Sequence, residues 1–190
     1  MQQSEHQQKS TDRKNKAPFI LAVAGVAVGS VCLGAGGVLA LSGDIRQEVC
    51  SWFASSEAQY AEAQQLLSGE GAAANPSKAV ELLRKAAEAG YAPAQQLLGQ
   101  CFSAGTGVGQ DAAEAVKWYR LAAEQGNAGA QCALGLCYDN GTGVSEDDAE
   151  AVKWYRLAAE QGNAQAQCAL GVCYDNGMGV SEDDAEAVKW

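Results

Sequence analysis

The dodecapeptide KWYRLAAEQGNA occurs at Lys117–Ala128 and again, unchanged, at Lys153–Ala164, 36 residues later. A catalytic site is normally needed once, whereas a structural unit that stacks on copies of itself is needed many times. The same period extends beyond the two copies of the dodecapeptide. Gly90 precedes Gly126 and Gly162 at this spacing, Trp190 follows Trp118 and Trp154, and Gly99, Gly135 and Gly171 recur between them. A fixed period of this length is typical of a solenoid of stacked supersecondary units.

The register places the repeats at residues 57–190, in units at 57–92, 93–128, 129–164 and a truncated 165–190. A solenoid end needs a polar capping element, and the fourth unit stops in its second helix. We therefore expect the natural protein to continue beyond this sequence.

Each unit is predicted to contain two helices. In the first helix of the third unit, the apolar and small residues follow helical i, i+3, i+4, i+7 spacing, and Asn140-Gly141 supplies the turn that ends it. These residues are Gln131, Leu134, Gly135 and Tyr138. The predicted second-helix stripe is Ala115, Trp118, Leu121 and Ala122. Neither helix buries its stripe alone, so stability must come from stacking.

The acidic run SEDDAE at Ser145–Glu150 and Ser181–Glu186 precedes two of these second helices. Ser145 and Asp147 are suited to capping a helix N-terminus, where acidic side chains also favour the helix dipole. A calcium loop would need a longer alternation of oxygen ligands. We therefore predict helix caps rather than a cation site, and no bound metal.

The N-terminal region differs from the repeats. Residues 1–18 are a polar, mildly basic leader, and Phe19–Leu41 is a stretch of 23 residues without a charge. As a helix it would span about 34 Å, enough for a bilayer of about 30 Å. The basic residues precede it, so the positive-inside rule predicts a single-pass anchor with a cytoplasmic N-terminus, a linker at 42–56 and exported repeats.

Two alternatives concern this segment. Its glycine content and the Ala40-Leu41-Ser42 sequence are compatible with a cleaved signal peptide, in which case the repeats would be secreted. Gly25 and Gly29 form a GxxxG pair of the kind that brings membrane helices together, although the pair also fits a segment simply rich in small residues.

Charge and cysteine usage restrict the possible ligands. Residues 42–190 carry 9 basic and 21 acidic side chains, so nucleic acid is not expected as a partner. The chain has seven cysteines but no CxxC, and its one histidine, His6, lies in the leader, which argues against a zinc site. Within one helix, Cys132 and Cys137 are about 7.5 Å apart along the axis, and Cys168 and Cys173 likewise. Neither pair is expected to form a disulfide.

The pattern AQxxLGxxYxxGxGVxxDxxxAxxWxxxAAxxGxA resembles the Sel-1-like repeat (SLR), a relative of the tetratricopeptide repeat. It matches residues 129–163 almost fully and 93–127 with conservative changes, whereas the first unit has Ala63 in place of the central glycine. The resemblance implies an all-α, right-handed α-solenoid of helix pairs that binds partners and organises complexes, usually without catalysis. Together with the anchor predicted at Phe19–Leu41, it predicts a membrane-anchored scaffold that binds a protein or peptide and needs no cofactor or small-molecule substrate.

Two other functions are compatible with the resemblance, a secreted β-lactamase-type hydrolase and a structural spacer without a specific ligand. Serine β-lactamases need S-x-x-K and K-T-G sequences, and the chain contains neither. No second histidine exists for a Ser-His-Asp or Cys-His pair. We therefore do not expect an enzyme.

The related tetratricopeptide superhelix implies that the first helix of each unit lines a concave groove. Residues between the packed positions are then expected to face a partner, possibly a basic one. The predicted groove residues are Gln96, Gln100, Cys132, Leu136, Asp139, Asn140, Cys168, Val172, Asp175 and Asn176.

Overall fold

The computed structural model describes residues 43–69 and 74–190, with side chains from residue 55 onward. Every regular element in these ranges is an α-helix: α1 Gly43–Ser68, α2 Pro76–Glu88, α3 Ala92–Ala104, α4 Ala112–Glu124, α5 Ala128–Asp139, α6 Asp148–Glu160, α7 Ala164–Asn176 and α8 Asp184–Lys189. The all-α prediction is confirmed for this part of the chain. None of the described helices is both long and apolar enough to cross a membrane. The leader at 1–18 and the predicted anchor at Phe19–Leu41 lie outside the described residues.

The helices form pairs of a first and a second helix, with Glu48–Trp190 as one compact unit. Each of the first helices α3, α5 and α7 packs against the second helix of its own pair and against the second helix of the preceding pair. The predicted linker at 42–56 is helical from Gly43 onward, as part of α1.

The helix ends follow the local sequence. Asp111, Asp147 and Asp183 cap the second helices, and each carboxylate accepts a hydrogen bond from the backbone three residues later. The capping prediction is therefore confirmed for Asp147 and corrected for Ser145, which lies before the helix begins. Asn127 and Asn163 cap the first helices in the same way. Asn140 is the C-cap of α5, and Gly141 follows with a φ of +64°, as the Asn-Gly sequence predicted.

The core consists of two groups of buried side chains that both include Tyr138 at their margin. The predicted first-helix stripe is confirmed, since Gln131 and Leu134 are buried and Gly135 lies against the Tyr155 ring. A Cβ at Gly135 would lie 2.6 Å from that ring, so only glycine allows the two helices this separation.

The second-helix stripe needs one correction. Ala115, Trp118 and Ala122 are buried, but Leu121 is 44% exposed and Leu157 is 45% exposed. Tyr119 and Tyr155 are buried instead, at 5% and 0% exposure. The buried arc of the helix is therefore centred on the tyrosine side, and the leucine two positions later points away from the stack.

Candidate protein-binding surface

The exposed side of the first helices carries most of the residues predicted to face a partner. We call this the first-helix face and define it by Gln100, Leu136, Asn140, Val172, Asp175 and Asn176. Gln100, Asn140, Val172 and Asn176 are exposed and Leu136 is half-buried. Val172, at 46% exposure, is among the most exposed large apolar side chains in the described residues. Because each position recurs after 36 residues, these side chains form rows along the repeats.

The row formed by Gln96, Cys132 and Cys168 does not belong to this face as predicted. Gln96 is half-buried, and its amide lies against Gly129 at the start of the next first helix. Cys132, at the equivalent position one repeat later, is 2% exposed and lies in the core beside Ala151 and Tyr155. Cys168 is exposed. The row therefore points toward the following repeat, and the prediction that Cys132 faces a partner is wrong.

The two predicted aspartates have different environments. Asp139 is half-buried, and its Oδ2 accepts a hydrogen bond from the Tyr155 hydroxyl at 3.1 Å. Asp175 is exposed. Asp139 is thus tied to the packing of α5 against α6, and Asp175 is the carboxylate that a partner can reach.

The side-chain amides of the two asparagines bind back to their own helices. The Asn140 Nδ2 donates to the Leu136 carbonyl at 2.8 Å, and the Asn176 Nδ2 donates to the Val172 carbonyl at 2.9 Å. Each amide thus uses one of its two N–H donors, and its oxygen, with two acceptor positions, makes no bond to the helix in these contacts. This part of the surface is therefore suited to a ligand that supplies hydrogen-bond donors.

Charge is segregated between the two layers of helices. Between residues 55 and 190 the chain has eight Lys and Arg residues, and all of them lie on the second helices α2, α4, α6 and α8. In the same range, the first helices carry Glu57, Glu62, Asp139 and Asp175 and no basic residue. The first-helix layer is consequently neutral to acidic throughout.

Two buried glutamines join successive repeats through hydrogen bonds that the sequence patterns did not predict, although Gln131 was placed in the packing stripe. The Gln131 Nε2 donates to the Ala123 carbonyl of the preceding unit at 3.1 Å, and its Oε1 accepts from the Gln161 Nε2 at 2.7 Å. Gln95 makes the equivalent bonds, to the Ala87 carbonyl and from Gln125. Gln125 and Gln161 lie at the same position of the two copies of the dodecapeptide. This exact repetition is the feature of the sequence that could have identified them.

A row of arginines was likewise not predicted from the sequence. The Arg120 Nη2 donates to the Tyr138 hydroxyl at 2.8 Å, and the Arg156 Nη2 donates to the Tyr174 hydroxyl at 2.7 Å. In the first unit, the guanidinium of Arg84 lies 5.6 Å from the centroid of the Phe102 ring. Each arginine therefore binds an aromatic residue of the next first helix, and the chemistry changes from hydrogen bond to cation–π contact where the hydroxyl is missing.

The buried and half-buried thiols of the repeats are not activated. Burial raises the pKa of the Cys101, Cys132 and Cys137 thiols, and burial with the nearby Asp139 raises the pKa of Cys173 to about 11. A nucleophilic cysteine needs a lowered pKa. Within the described ranges, no group of three or more metal-binding side chains is present.

Comparison with known proteins agrees with this architecture. Four consecutive segments, at residues 56–91, 92–127, 128–163 and 164–190, match the family model described as "Sel1 repeat". No curated protein sequence matches the chain significantly.

The solved structures that are similar to the chain include those of three other repeat proteins. The protective antigen c5321 of uropathogenic Escherichia coli, which displays an SLR fold, is 40% identical with a TM-score of 0.71 over 77% of this chain and 31% of that one. A Sel1 repeat protein from Oxalobacter formigenes is 37% identical, with a TM-score of 0.67 over 71% and 54% of the two chains. Helicobacter pylori cysteine rich protein B is 24% identical, with a TM-score of 0.51 over 65% and 92%, and supports the fold alone. The chain thus spans about a third of the first of these proteins and about half of the second.

Proposed function

The chain belongs to the Sel1 repeat family, and from that premise we propose that it is a scaffold that binds a protein or peptide on its first-helix face. The observation that carries this proposal is the segregation of charge, which leaves the first helices without a basic residue between residues 55 and 190. A surface of one sign, lined by small and apolar side chains, attracts a complementary partner and repels an acidic one.

The partner that suits this face is an extended peptide or a helix with basic residues. The side-chain oxygens of Asn140 and Asn176 and the carboxylate of Asp175 offer acceptors to Lys, Arg or backbone N–H groups. Leu136 and Val172 offer apolar contact to the aliphatic part of a long basic side chain. Sel1 repeats generally mediate protein–protein interactions, which is consistent with this assignment.

We propose no catalytic role. The sequence lacks the serine and lysine sequences of a β-lactamase, and its one histidine is far from the repeats in sequence. The buried thiols have raised pKa values, so they are poor nucleophiles.

A pair of matched variants tests the binding surface. Val172→Lys with Asp175→Lys replaces an apolar and an acidic side chain of the first-helix face by two positive charges. Leu157→Lys with Glu160→Lys makes the same change on a second helix. Both pairs are exposed, are spaced three residues apart, and combine an apolar side chain with an acid; Val172 and Leu157 are 46% and 45% exposed. Neither pair is expected to disturb folding.

The readout is selection of a random peptide library on the immobilised 190-residue chain. We expect the selected peptides to be enriched in Lys and Arg, and their affinity to fall at least tenfold for the first-helix pair while the second-helix pair binds like the parent. Equal loss in both variants, or selection of acidic peptides, would refute the first-helix face as the site. Failure to select any peptide would favour the structural spacer.

We also propose that Phe19–Leu41 anchors the chain, with the N-terminus in the cytoplasm and the repeats exported. The supporting observation is the uncharged stretch of 23 residues preceded by basic residues. Protease protection of a tag at residue 1, compared with a tag after residue 190, measures the topology. Protection of both tags would refute export, and loss of the N-terminal tag from the mature chain would show cleavage and secretion instead.

A further inference from the structure

The second helices of the two central repeats expose an ordered set of side chains that the packing of the solenoid does not use. We call it the Lys-Leu-Glu surface and define it by Lys117, Leu121 and Glu124 on α4 and Lys153, Leu157 and Glu160 on α6. All six residues are exposed, with Leu121 at 44% and Leu157 at 45%. Spacings of four and three residues place the three side chains on one face of each helix.

Isolated exposed leucines are common on protein surfaces, but this pair has two further properties. The leucine recurs at the same position of adjacent repeats, and in both it stands between a lysine on one side and a glutamate on the other. Successive repeats therefore align a basic row, an apolar row and an acidic row, in that order along the helix axes.

The charges at the edges are available to a partner. Lys117 and Lys153 each pair with the glutamate three residues before, Glu114 and Glu150, yet their side chains remain 69% and 66% exposed. Among residues 55–190, neither Glu124 nor Glu160 takes part in an ion pair. Among the side chains that the structure describes, the acidic row is thus uncompensated, and the basic row is bound only by solvent-exposed pairs, which are weak.

We propose that the Lys-Leu-Glu surface docks onto the same surface of a second copy of this chain, around a two-fold axis parallel to the stack of repeats. Such an axis reverses the order of the rows. Lys117 of one copy then faces Glu124 of the other, Lys153 faces Glu160, and the leucine rows meet in the middle. A two-fold interface requires a self-complementary patch of this kind.

Charge complementarity favours a second copy over an unrelated protein, because the surface is complementary to itself. Each basic row lies opposite an acidic row of the same sequence. This complementarity also limits the interface. In the first unit the corresponding residues are Glu81, Lys85 and Glu88, which lack the leucine and would place acid opposite acid. Contact is therefore confined to the second and third repeats, and so small an area produces a weak dimer.

Sedimentation equilibrium of the full 190-residue chain, in detergent micelles where it requires them, tests the proposal. The first variant carries Lys117→Glu and Lys153→Glu, and the second carries Glu124→Lys and Glu160→Lys. Each variant alone places like charges opposite each other in a homodimer, and we expect its self-association to weaken at least tenfold. An equimolar mixture restores opposite charges at every contact, so we expect it to associate as well as the parent.

The mixture distinguishes this interface from self-association through any other surface of the chain. Association that is unchanged in both variants would overturn the proposal and place self-association elsewhere, for example in the N-terminal residues. Loss in both variants without restoration in the mixture would also overturn it, since a self-complementary surface predicts rescue. A parent chain that is strictly monomeric up to millimolar concentration would leave the surface to a different protein and refute a second copy as its occupant.

Discussion

At the scale of single residues, the fold depends on a glycine that faces a buried tyrosine. Gly135 lies against the ring of Tyr155, which is fully buried and whose hydroxyl donates to Asp139. Gly99 and Tyr119 repeat this arrangement one unit earlier. The ring is held at both ends, by the helix beneath it and by the carboxylate, so it has little freedom to move aside.

We predict that Gly135→Ala destabilises the protein by about 1–3 kcal/mol, the usual cost of overpacking a core. The added methyl group would lie 2.6 Å from the Tyr155 ring, and this clash outweighs the better helix propensity of alanine. Urea unfolding followed by circular dichroism measures the change. Gly109→Ala is the control, because no atom lies within 4 Å of a Cβ there, and we expect it to stay within about 0.5 kcal/mol of the parent. An unchanged midpoint for Gly135→Ala would mean that α5 and α6 are farther apart than described.

Thiol reactivity should follow burial. Cys168 is exposed and Cys137 is half-buried, whereas Cys101, Cys132 and Cys173 are buried. We predict that, among these five cysteines, a thiol-alkylating reagent modifies Cys168 first in the native protein and Cys132 only on unfolding, although the two residues occupy equivalent positions of the repeat. Peptide mass spectrometry after timed labelling checks the order, with the urea-unfolded chain as the control in which both react alike. Equal native rates would contradict the burial of Cys132 by the fourth unit.

The cysteine pair also shows what the sequence could predict about the site. The 36-residue period assigned Gln100, Leu136, Val172 and the Asn-Gly positions to the outer side of the first helices, because exposure there depends only on helical spacing. It could not separate Cys132 from Cys168. Their burial depends on which neighbouring repeat lies over them, and that is a property of the stack rather than of the single helix.

At the scale of helices, glutamines define how one repeat sits on the next. Gln131 is 4% exposed and binds one group in the preceding unit and one in its own. A buried amide with both ends satisfied favours a single alignment of the three helices that it touches, since sliding any of them would leave a polar group without a partner.

We predict that Gln131→Leu destabilises the protein by about 1–3 kcal/mol, because it removes two hydrogen bonds, one to the Ala123 carbonyl and one from the Gln161 amide, and each such bond contributes about 0.5–1.5 kcal/mol. Gln167→Leu is the matched control. Gln167 is only half-buried, and among the described residues it makes the bond to the Ala159 carbonyl but no bond to another glutamine. Thermal unfolding of the two variants should rank Gln131→Leu well below Gln167→Leu. Equal stabilities would show that the glutamine pair contributes no more than a single peripheral hydrogen bond.

Helix positions were more predictable than helix contacts. Asp147 and Asn140-Gly141 fixed the ends of elements because capping and left-handed turns depend on neighbours in sequence. Leu121 was expected in the core and is exposed, while Tyr119 is buried. Helical spacing tolerates either assignment, and the choice is made by Gly99, which opens the space that the Tyr119 ring fills.

At the scale of the whole molecule, the two layers of helices differ in charge because a residue at one position of the repeat recurs in successive units. Arg84, Arg120 and Arg156 recur at the 36-residue spacing and form a row on the second helices, and the lack of basic residues on the first helices between residues 55 and 190 leaves a face without bases there. The sequence displayed this pattern, but it could be assigned to opposite sides only after the helix pairs were placed. The handedness of the stack and the membrane anchor remain predictions.

The pKa shifts of the described residues are all upward, and we predict that stability falls in alkaline solution. Burial raises the pKa of Cys173 from 9.0 to about 11 and that of Tyr119 from 10.0 to about 12, and burial together with Asp139 raises the pKa of Tyr155 further. In each case the folded protein holds a proton that the unfolded chain releases. The stabilisation is therefore complete below about pH 9 and is lost as pH rises through about 9 to 12. Urea midpoints at pH 8, 9, 10 and 11 measure the decline.

Tyr155→Phe removes one of the titrating groups while keeping the ring against Gly135, so its midpoint should be lower at pH 8 but should fall less steeply between pH 10 and 11. A decline as steep as that of the parent would mean that Tyr155 does not remain protonated in the folded protein at that pH.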